Sequence, residues 1–298
     1  MEVKPVITAL IVIGAALMTW NIYRFYRFIR STYDVLSADS SRDKRWMTIA
    51  LVLLIFFLGG YMYVGIFAHP HLVTALILCF GSVFVAIVLT LLTHLMNTAK
   101  ERSIDIAEVL VGVIDARDPN LNGHSRYVQE VTMLFYQYLP ANLKKDLNPV
   151  SLEYAALMHD VGKLGVPESI LNKPAKLDDE EWKVMRNHPK TGVKILKPLR
   201  TFANISPWIE FHHERLDGQG YYGLKADEIP LAAKIIAIAD TYSAITMRRS
   251  YKPPRSHEDA IDIIKDVAGT QLDKELVDVF LTIPKDELVK CMPEEVKY

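Results

Sequence analysis

The stretch "PLAAKIIAIADTYSAITM", Pro230 to Met247, is apolar at nearly every position, at helical spacing, behind an opening proline. It reads as one long, mostly buried helix. One carboxylate, Asp240, sits in its middle, where an unpaired charge is costly. Either Asp240 caps a neighbouring helix or it serves chemistry. Working outward, the flanking segments carry the same period. "IDIAEVLVGVIDA" stops at "RDPNLNG", and "SRYVQEVTMLFYQYL" resumes near Ser125 and ends before Pro140. "NPVSLEYAALMHDVGK" opens with Asn148 as a cap and Pro149 in the first turn, and Gly162 ends it. "LDDEEWKVMRN" and "PKTGVKILKPL" form a further pair. "SHEDAIDIIKDVAG" has a capping Ser256, an early acidic turn and a stopping Gly269. No stretch alternates at the period of a strand, and there is no internal repeat or low-complexity run. The expected fold class is all-α.

The 298 residues are 50% hydrophobic, with a mean hydropathy of +0.13. The excess lies in the first third. What remains, roughly 200 residues, is a comfortable size for one soluble core. Three runs contain no Asp, Glu, Lys or Arg: Val6 to Tyr23, Trp46 to Ala68, and Leu72 to Leu95. Each is long enough to cross about 30 Å of hydrocarbon as a helix. Arg24, Arg27, Arg30, Arg42, Lys44 and Arg45 lie between the first two runs, and Lys100 and Arg102 follow the third. Only "HPH", His69 to His71, separates the second from the third. The positive-inside rule then puts the N-terminus outside and the long C-terminal part in the cytoplasm. The first run reads as a signal anchor, because its arginines follow it. The expected organisation is a three-span membrane anchor or sensor, 1–97, and a cytoplasmic domain, 98–298. The lipid bilayer is thus one partner. A net charge of −1 gives no basic field for a nucleic acid polymer. Two cysteines, Cys79 and Cys291, are too few for a disulfide framework and fit a reducing compartment.

"HHERLDGQGYYGL", from His212, sets two imidazoles side by side before a glycine-rich turn. Among nine histidines, His69 and His71 flank a hairpin, His94 nears a membrane boundary and His257 starts a helix. The others, His124, His159, His188, His212 and His213, each follow or end a helical segment. Asp160 comes directly after His159. Taken singly, each histidine would be a surface or satisfied core residue. Together with Asp160 and Asp240 they fit a metal site, and neutral imidazole plus carboxylate suits iron, manganese, zinc or nickel. There are more ligands than one ion needs, so two ions bridged by an aspartate are expected. Such a pair clamps the oxygens of a phosphate ester. If the helix holds its last turn, Lys163 shares a face with His159 and Asp160 and can offset phosphoryl charge. Its bland alternative is a solvated helix-end cation. Gly218 and Gly220 are expected to make a tight turn with positive φ.

"HDVGKLGVPESIL" at His159 resembles the paired signature of the HD phosphohydrolases. "NHPKTGVKIL", "HHERLDGQGYYGL", "EIPLAAKIIAIADTYSAIT" and "GTQLD" extend the resemblance to the HD-GYP subfamily, bacterial phosphodiesterases of cyclic di-GMP, over roughly Ile106 to Thr282. The resemblance implies an all-α HD-type metallohydrolase domain behind the three transmembrane helices. It makes His159, Asp160, His188, His212, His213 and Asp240 metal ligands, with Asp160 as the bridge. Lys163 falls on the catalytic lysine. His124 falls on a histidine that ligates metal in some members only. Asn120 stands where members with a third metal carry a glutamate, which favours two divalent ions, iron or manganese first and zinc or nickel as alternatives. Arg249 and Lys252 fall on positions that hold substrate phosphate. The naming motif departs: it reads Gly220-Tyr221-Tyr222, and the loop is one residue short. Tyr221 and Tyr222 are candidate substrate contacts, with Tyr222 offering an aromatic face to a purine or else packing on the surface. Ser243 replaces a common aspartate, and Ser250 and Lys252 replace a proline and an arginine.

The implied activity is hydrolysis of cyclic di-GMP to pGpG or GMP at the bacterial cytoplasmic membrane. Two alternatives stand beside it: a phosphohydrolase of another nucleotide or cyclic dinucleotide, and a nucleotide-responsive receptor without turnover. The segment from about Ala99 to Ala116 is a connector of the kind that pairs across a homodimer.

Overall fold

The computed structural model describes residues 3–33, 41–67, 71–117, 123–247 and 253–292. It divides into two compact units, Met1–Arg102 and Ser103–Tyr298. The described residues are helical with no β-strand, and one isolated bridge joins Ala268 to Leu272. The all-α class expected from the apolar period is what is found.

The first unit contains α1 (Val3–Tyr33), α2 (Ser41–Phe67) and the first part of α3 (Leu72–Arg117). Three helices are long and apolar enough to cross a membrane, over Lys4–Arg30, Arg45–Phe67 and Leu72–Met96. Their large side chains point outward: Phe56, Phe57, Phe80 and Phe84 are all exposed. Polar contacts join them, of the kind that link apolar helices to one another. Asn21 Nδ2 donates to the Ser82 carbonyl at 3.0 Å, and Ser82 Oγ donates to the Gly14 carbonyl at 2.9 Å. Tyr61 OH lies 2.5 Å from Ser82 Oγ, which ties α2 into the same buried group.

The second unit continues α3 from Ser103 and adds α4 (His124–Tyr138), α5 (Ala141–Lys144) and α6 (Pro149–Met158). A 3-10 turn, Val161–Gly165, follows, then α7 (Glu168–Leu171), α8 (Asp179–Arg186) and α9 (His188–Leu196). After a second 3-10 turn, Arg200–Ile205, come α10 (Ser206–Glu210), α11 (Leu231–Thr246), α12 (His257–Asp266), α13 (Lys274–Phe280) and α14 (Lys285–Lys290). The core is the meeting of α4, α6 and α11. Val128, Val131, Leu152, Ala155, Ile235, Ile238 and Ala239 are fully buried there. Phe280 closes one end, edge-on to Phe135 at 5.2 Å. The caps fall where the sequence puts them. Asn148 accepts from Ser151 N at 2.8 Å, and Ser256 forms a capping box with Asp259.

One local expectation is corrected. α6 does not hold its last turn: it ends at Met158, and the chain tightens into the 3-10 turn. Gly162 is the reason. A Cβ there would stand 1.7 Å from the His188 carbonyl oxygen and 2.5 Å from Gly192 N. The turn is pressed backbone to backbone on α9, an approach only glycine permits. α4 begins at His124, with Ser125 near its start as expected, and Gly123 turns ahead of it in the left-handed region with φ 77°.

Candidate metal centre

The helix ends deliver the polar groups. His124 opens α4, His159 and Asp160 leave α6, His188 opens α9, His212 and His213 follow α10, and Asp240 lies within α11. They gather into two sets. Asp160, His188, His212 and His213 offer atoms all within 4.8 Å of one another, and so do His124, His159 and Asp240. Asp160 stands between the sets. Its Oδ1 is 3.1 Å from His188 Nε2, while its Oδ2 is 3.3 Å from His159 Nε2 and 3.9 Å from His124 Nε2. Asp240 Oδ1 is 3.2 Å from His124 Nε2 and 4.0 Å from His159 Nε2.

The far side of three of the rings fixes their tautomer. Nδ1 of His159, His188 and His212 lies 2.7, 2.9 and 2.7 Å from the carbonyls of Ala156, Met185 and Ile209. A carbonyl only accepts, so Nδ1 carries the proton and Nε2 keeps a lone pair. All three Nε2 atoms are buried without a hydrogen-bond partner, and so is Asp160 Oδ1. Each such orphan costs about 1–3 kcal/mol. Lone pairs of imidazole and carboxylate face one another across gaps that a cation would fill. The donor set therefore fits a divalent transition metal.

The electrostatics agree. Burial would raise the Asp160 pKa, but the Lys163 ammonium and the His159 and His188 imidazoles outweigh it and hold the carboxyl ionised. Burial would raise Asp240 too, and His124 and His159 pull it down. Burial opposes charge on His159, yet Asp160 and Asp240 win and raise its pKa, so that a proton is drawn to where a cation would sit. Burial, reinforced by neighbouring imidazoles, pushes His212 well below the usual range and His213 down to about 3. Both are neutral at ordinary pH.

Around this cluster the other candidates take different places. Lys163 Nζ pairs with Asp160 Oδ2 at 2.5 Å, through the 3-10 turn instead of a continued helix. The Tyr221 ring lies over His213 at 4.5 Å and edge-on to His188 at 6.2 Å. Tyr222 faces elsewhere: its ring meets Phe211 at 5.9 Å, and Lys190 Nζ stands 4.5 Å from its centre. Gly218 has the expected positive φ, 71°, but Gly220 does not; Gly223 takes that role with φ 73°. Gly220 is needed for space. A Cβ would lie 2.6 Å from Glu214 Cα and 2.8 Å from Arg215 N. Arg249, Lys252 and Asn120 lie outside the described residues.

Three supporting residues escaped a functional reading in the sequence. Glu214 is buried, and its two oxygens accept from Tyr222 N at 2.7 Å and Leu224 N at 2.8 Å, folding the tyrosine loop against the double histidine. Arg117 donates to the Leu164 and Val166 carbonyls and so clamps the turn that carries Lys163. Ser243 Oγ lies 2.9 Å from His124 Nδ1. A charged residue beside "HH" was the one hint for Glu214. Nothing local says that its carboxylate closes on amides eight and ten residues ahead.

The HD domain family profile matches residues 92–276. A "Probable cyclic di-GMP phosphodiesterase" of Vibrio cholerae is 38% identical over 186 residues, 58% of this chain and 42% of that protein. A "Cyclic di-GMP phosphodiesterase" of the same organism is 36% identical over 193 residues, 60% of this chain and 39% of that one. Its "3'3'-cGAMP-specific phosphodiesterase 3" is 37% identical over 164 residues, 55% of this chain and 35% of that one. The chain spans about two-fifths of the length of these curated relatives.

Proposed function

The chain belongs to the HD domain family, in its HD-GYP branch, and from that premise we propose that it is a membrane-anchored, metal-dependent phosphodiesterase that hydrolyses cyclic di-GMP to pGpG or GMP. The observation that carries this reading is the position of Asp160, whose two oxygens face two separate ligand sets. His188, His212 and His213 with Asp160 would hold one divalent ion, and His124, His159 and Asp240 with Asp160 the other. Iron or manganese suits these donors first, and zinc or nickel after them. Bound there, the pair supplies Lewis-acid polarisation of the phosphoryl group and activation of the attacking water. The chain's own side chains do the rest. Neutral imidazoles, oriented from behind by backbone carbonyls, keep the ligand atoms aimed inward. Lys163, at the edge of the cluster, faces the charge that develops on phosphoryl oxygens. Arg249 and Lys252 grip phosphate, and the Tyr221 face beside His213 is placed for a base or ribose. Tyr222 keeps its role as a purine contact only if its ring leaves Phe211.

A relative specific for 3'3'-cGAMP stands among the matches, and the loop here reads Gly-Tyr-Tyr, so the hybrid dinucleotide is the second reading of the substrate. A receptor without turnover is disfavoured by the complete ligand set. The positive-inside pattern supports a cytoplasmic catalytic unit behind an anchor whose N-terminus is outside. Ile106, Val109, Val113 and Ala116 form an exposed stripe on α3, at the 3-4-3 spacing of a coiled-coil seam, which supports a parallel homodimer. The test is turnover by the purified full chain of cyclic di-GMP, 3'3'-cGAMP and linear controls, with metal analysis on the same preparation. Bound metal without hydrolysis of any of them would overturn the phosphodiesterase reading.

A further inference from the structure

The histidines of the cluster are not held alike. His159, His188 and His212 each point Nδ1 at a carbonyl, and their Nε2 atoms are orphaned. His124 points Nδ1 at a hydroxyl, Ser243 Oγ, at 2.9 Å. Ser243 is fully buried, and its Oγ is also within donating distance of the Met247 sulfur, 3.3 Å. His124 Nε2 lies 3.2 Å from Asp240 Oδ1, much as His188 Nε2 and His159 Nε2 lie 3.1 and 3.3 Å from Asp160, but no carbonyl stands behind His124 to take its Nδ1 proton.

A carbonyl dictates one tautomer, whereas a hydroxyl accepts two. In the first arrangement Ser243 O–H donates to His124 Nδ1, and His124 Nε2–H donates to Asp240. That pair is then closed on itself. In the second, Ser243 O–H turns to the Met247 sulfur and accepts from His124 Nδ1–H. His124 Nε2 and Asp240 are then both open to a cation. Passing from one to the other moves the imidazole proton from Nε2 to Nδ1. It also gives up a charge-assisted bond to carboxylate for a weak one to sulfur. In the Asp160, His188, His212 and His213 set, His188 Nε2 is 3.1 Å from Asp160 Oδ1, but its Nδ1 proton is committed to the Met185 carbonyl, so neutral His188 needs no change of tautomer to offer Nε2 to a cation.

We propose that the two ion sites are unequal and that Ser243 sets the difference. The divalent cation held by Asp160, His188, His212 and His213 is resident. The one held by His124, His159 and Asp240 is exchangeable, so its occupancy follows the free metal concentration. Ser243 is a positioning residue, acting through the tautomer of His124. The inference rests on the dinuclear reading above.

The test uses the purified full chain loaded with Mn²⁺ and dialysed against graded EDTA, with manganese per chain measured at each step. The wild type should release its metal in two separated steps. Ser243→Ala and the near-isosteric Ser243→Cys remove the strong acceptor behind His124. They should weaken the looser site by about 10–100-fold, the usual cost of losing such a partner, and leave the tighter step in place. Ser243→Asp, an obligate acceptor, should draw the two steps together. Release of both equivalents in one step by the wild type would overturn the proposal. So would Ala and Cys variants that release metal at wild-type chelator concentrations. A wild type that takes up no manganese at all would instead overturn the metal-centre reading, and this inference with it.

Discussion

Glu214→Gln isolates what holds the tyrosine loop. In the wild type both carboxylate oxygens are used, at 2.7 Å by Tyr222 N and at 2.8 Å by Leu224 N. The side chain is buried and Gly220 is pressed against it. A glutamine keeps the volume and one accepting oxygen. Its NH₂ must then face the second backbone N–H, donor against donor. One charge-assisted bond is lost and the other becomes neutral, so the cost is about 2 kcal/mol, within the range for hydrogen bonds to charged groups. For a unit of this size that lowers the melting temperature by roughly 4–8 °C. Glu228→Gln is the control, because Glu228 makes the same kind of bond, to Lys225 N at 2.8 Å, in an exposed turn; it should change nothing measurable. The loosened loop should also release Tyr221 from His213 and raise KM for a cyclic dinucleotide without changing metal content. The assays are thermal unfolding of the metal-free and metal-loaded protein and steady-state kinetics. A Glu214→Gln protein that melts with the wild type would refute the assignment of this carboxylate as the loop's anchor.

Asp160→Ala should abolish turnover and lower bound metal in the same preparation, and near-normal activity at full metal occupancy would sink the bridged pair. Arg249→Ala with Lys252→Ala should raise KM far more than it disturbs metal content, since phosphate contacts do not ligate the ions; unchanged kinetics would make that run a solvated surface. Val109→Cys, in membranes under mild oxidation, should cross-link two copies through the exposed α3 stripe, whereas Glu108→Cys, one position off the seam, should not; equal yields from both would remove the parallel dimer. The Cys291 thiol, pushed up to about 11 by burial and then by Glu130 and Glu287, stays protonated below that pH, so at pH 8 only about a thousandth is thiolate and alkylation should be slow. In urea the same cysteine should label at the rate of an ordinary thiol, and equal rates folded and unfolded would contradict its burial.

The sequence by itself determined the helical class, the three apolar spans and the identity of the clustered groups. The reason is that each rests on something local. Asp240 inside "IAIADTYSAIT" is an anomaly visible without neighbours, because a carboxylate in an apolar helix demands an explanation. "HD" and "HH" are adjacent in the chain, so their partnership needs no folding to be seen. The tertiary structure decided what depends on approach between distant segments. The turn at Val161–Gly165 tightens because α9 presses on Gly162, and α9 begins only at His188, 26 residues later in the chain. Gly220 is a spatial requirement imposed by Glu214, not the φ > 0 residue that a glycine-rich turn suggests. Tyr221 and Tyr222 look interchangeable as letters, and the bonds from Glu214 and the position of Phe211 send one ring to the histidines and the other away. Ser243 reads as a lost aspartate until α4 is laid beside α11, and only then does its hydroxyl meet His124. Composition and period describe how each segment meets water or an apolar neighbour. Which donor faces which acceptor is set by packing between helices, and no one segment carries that information.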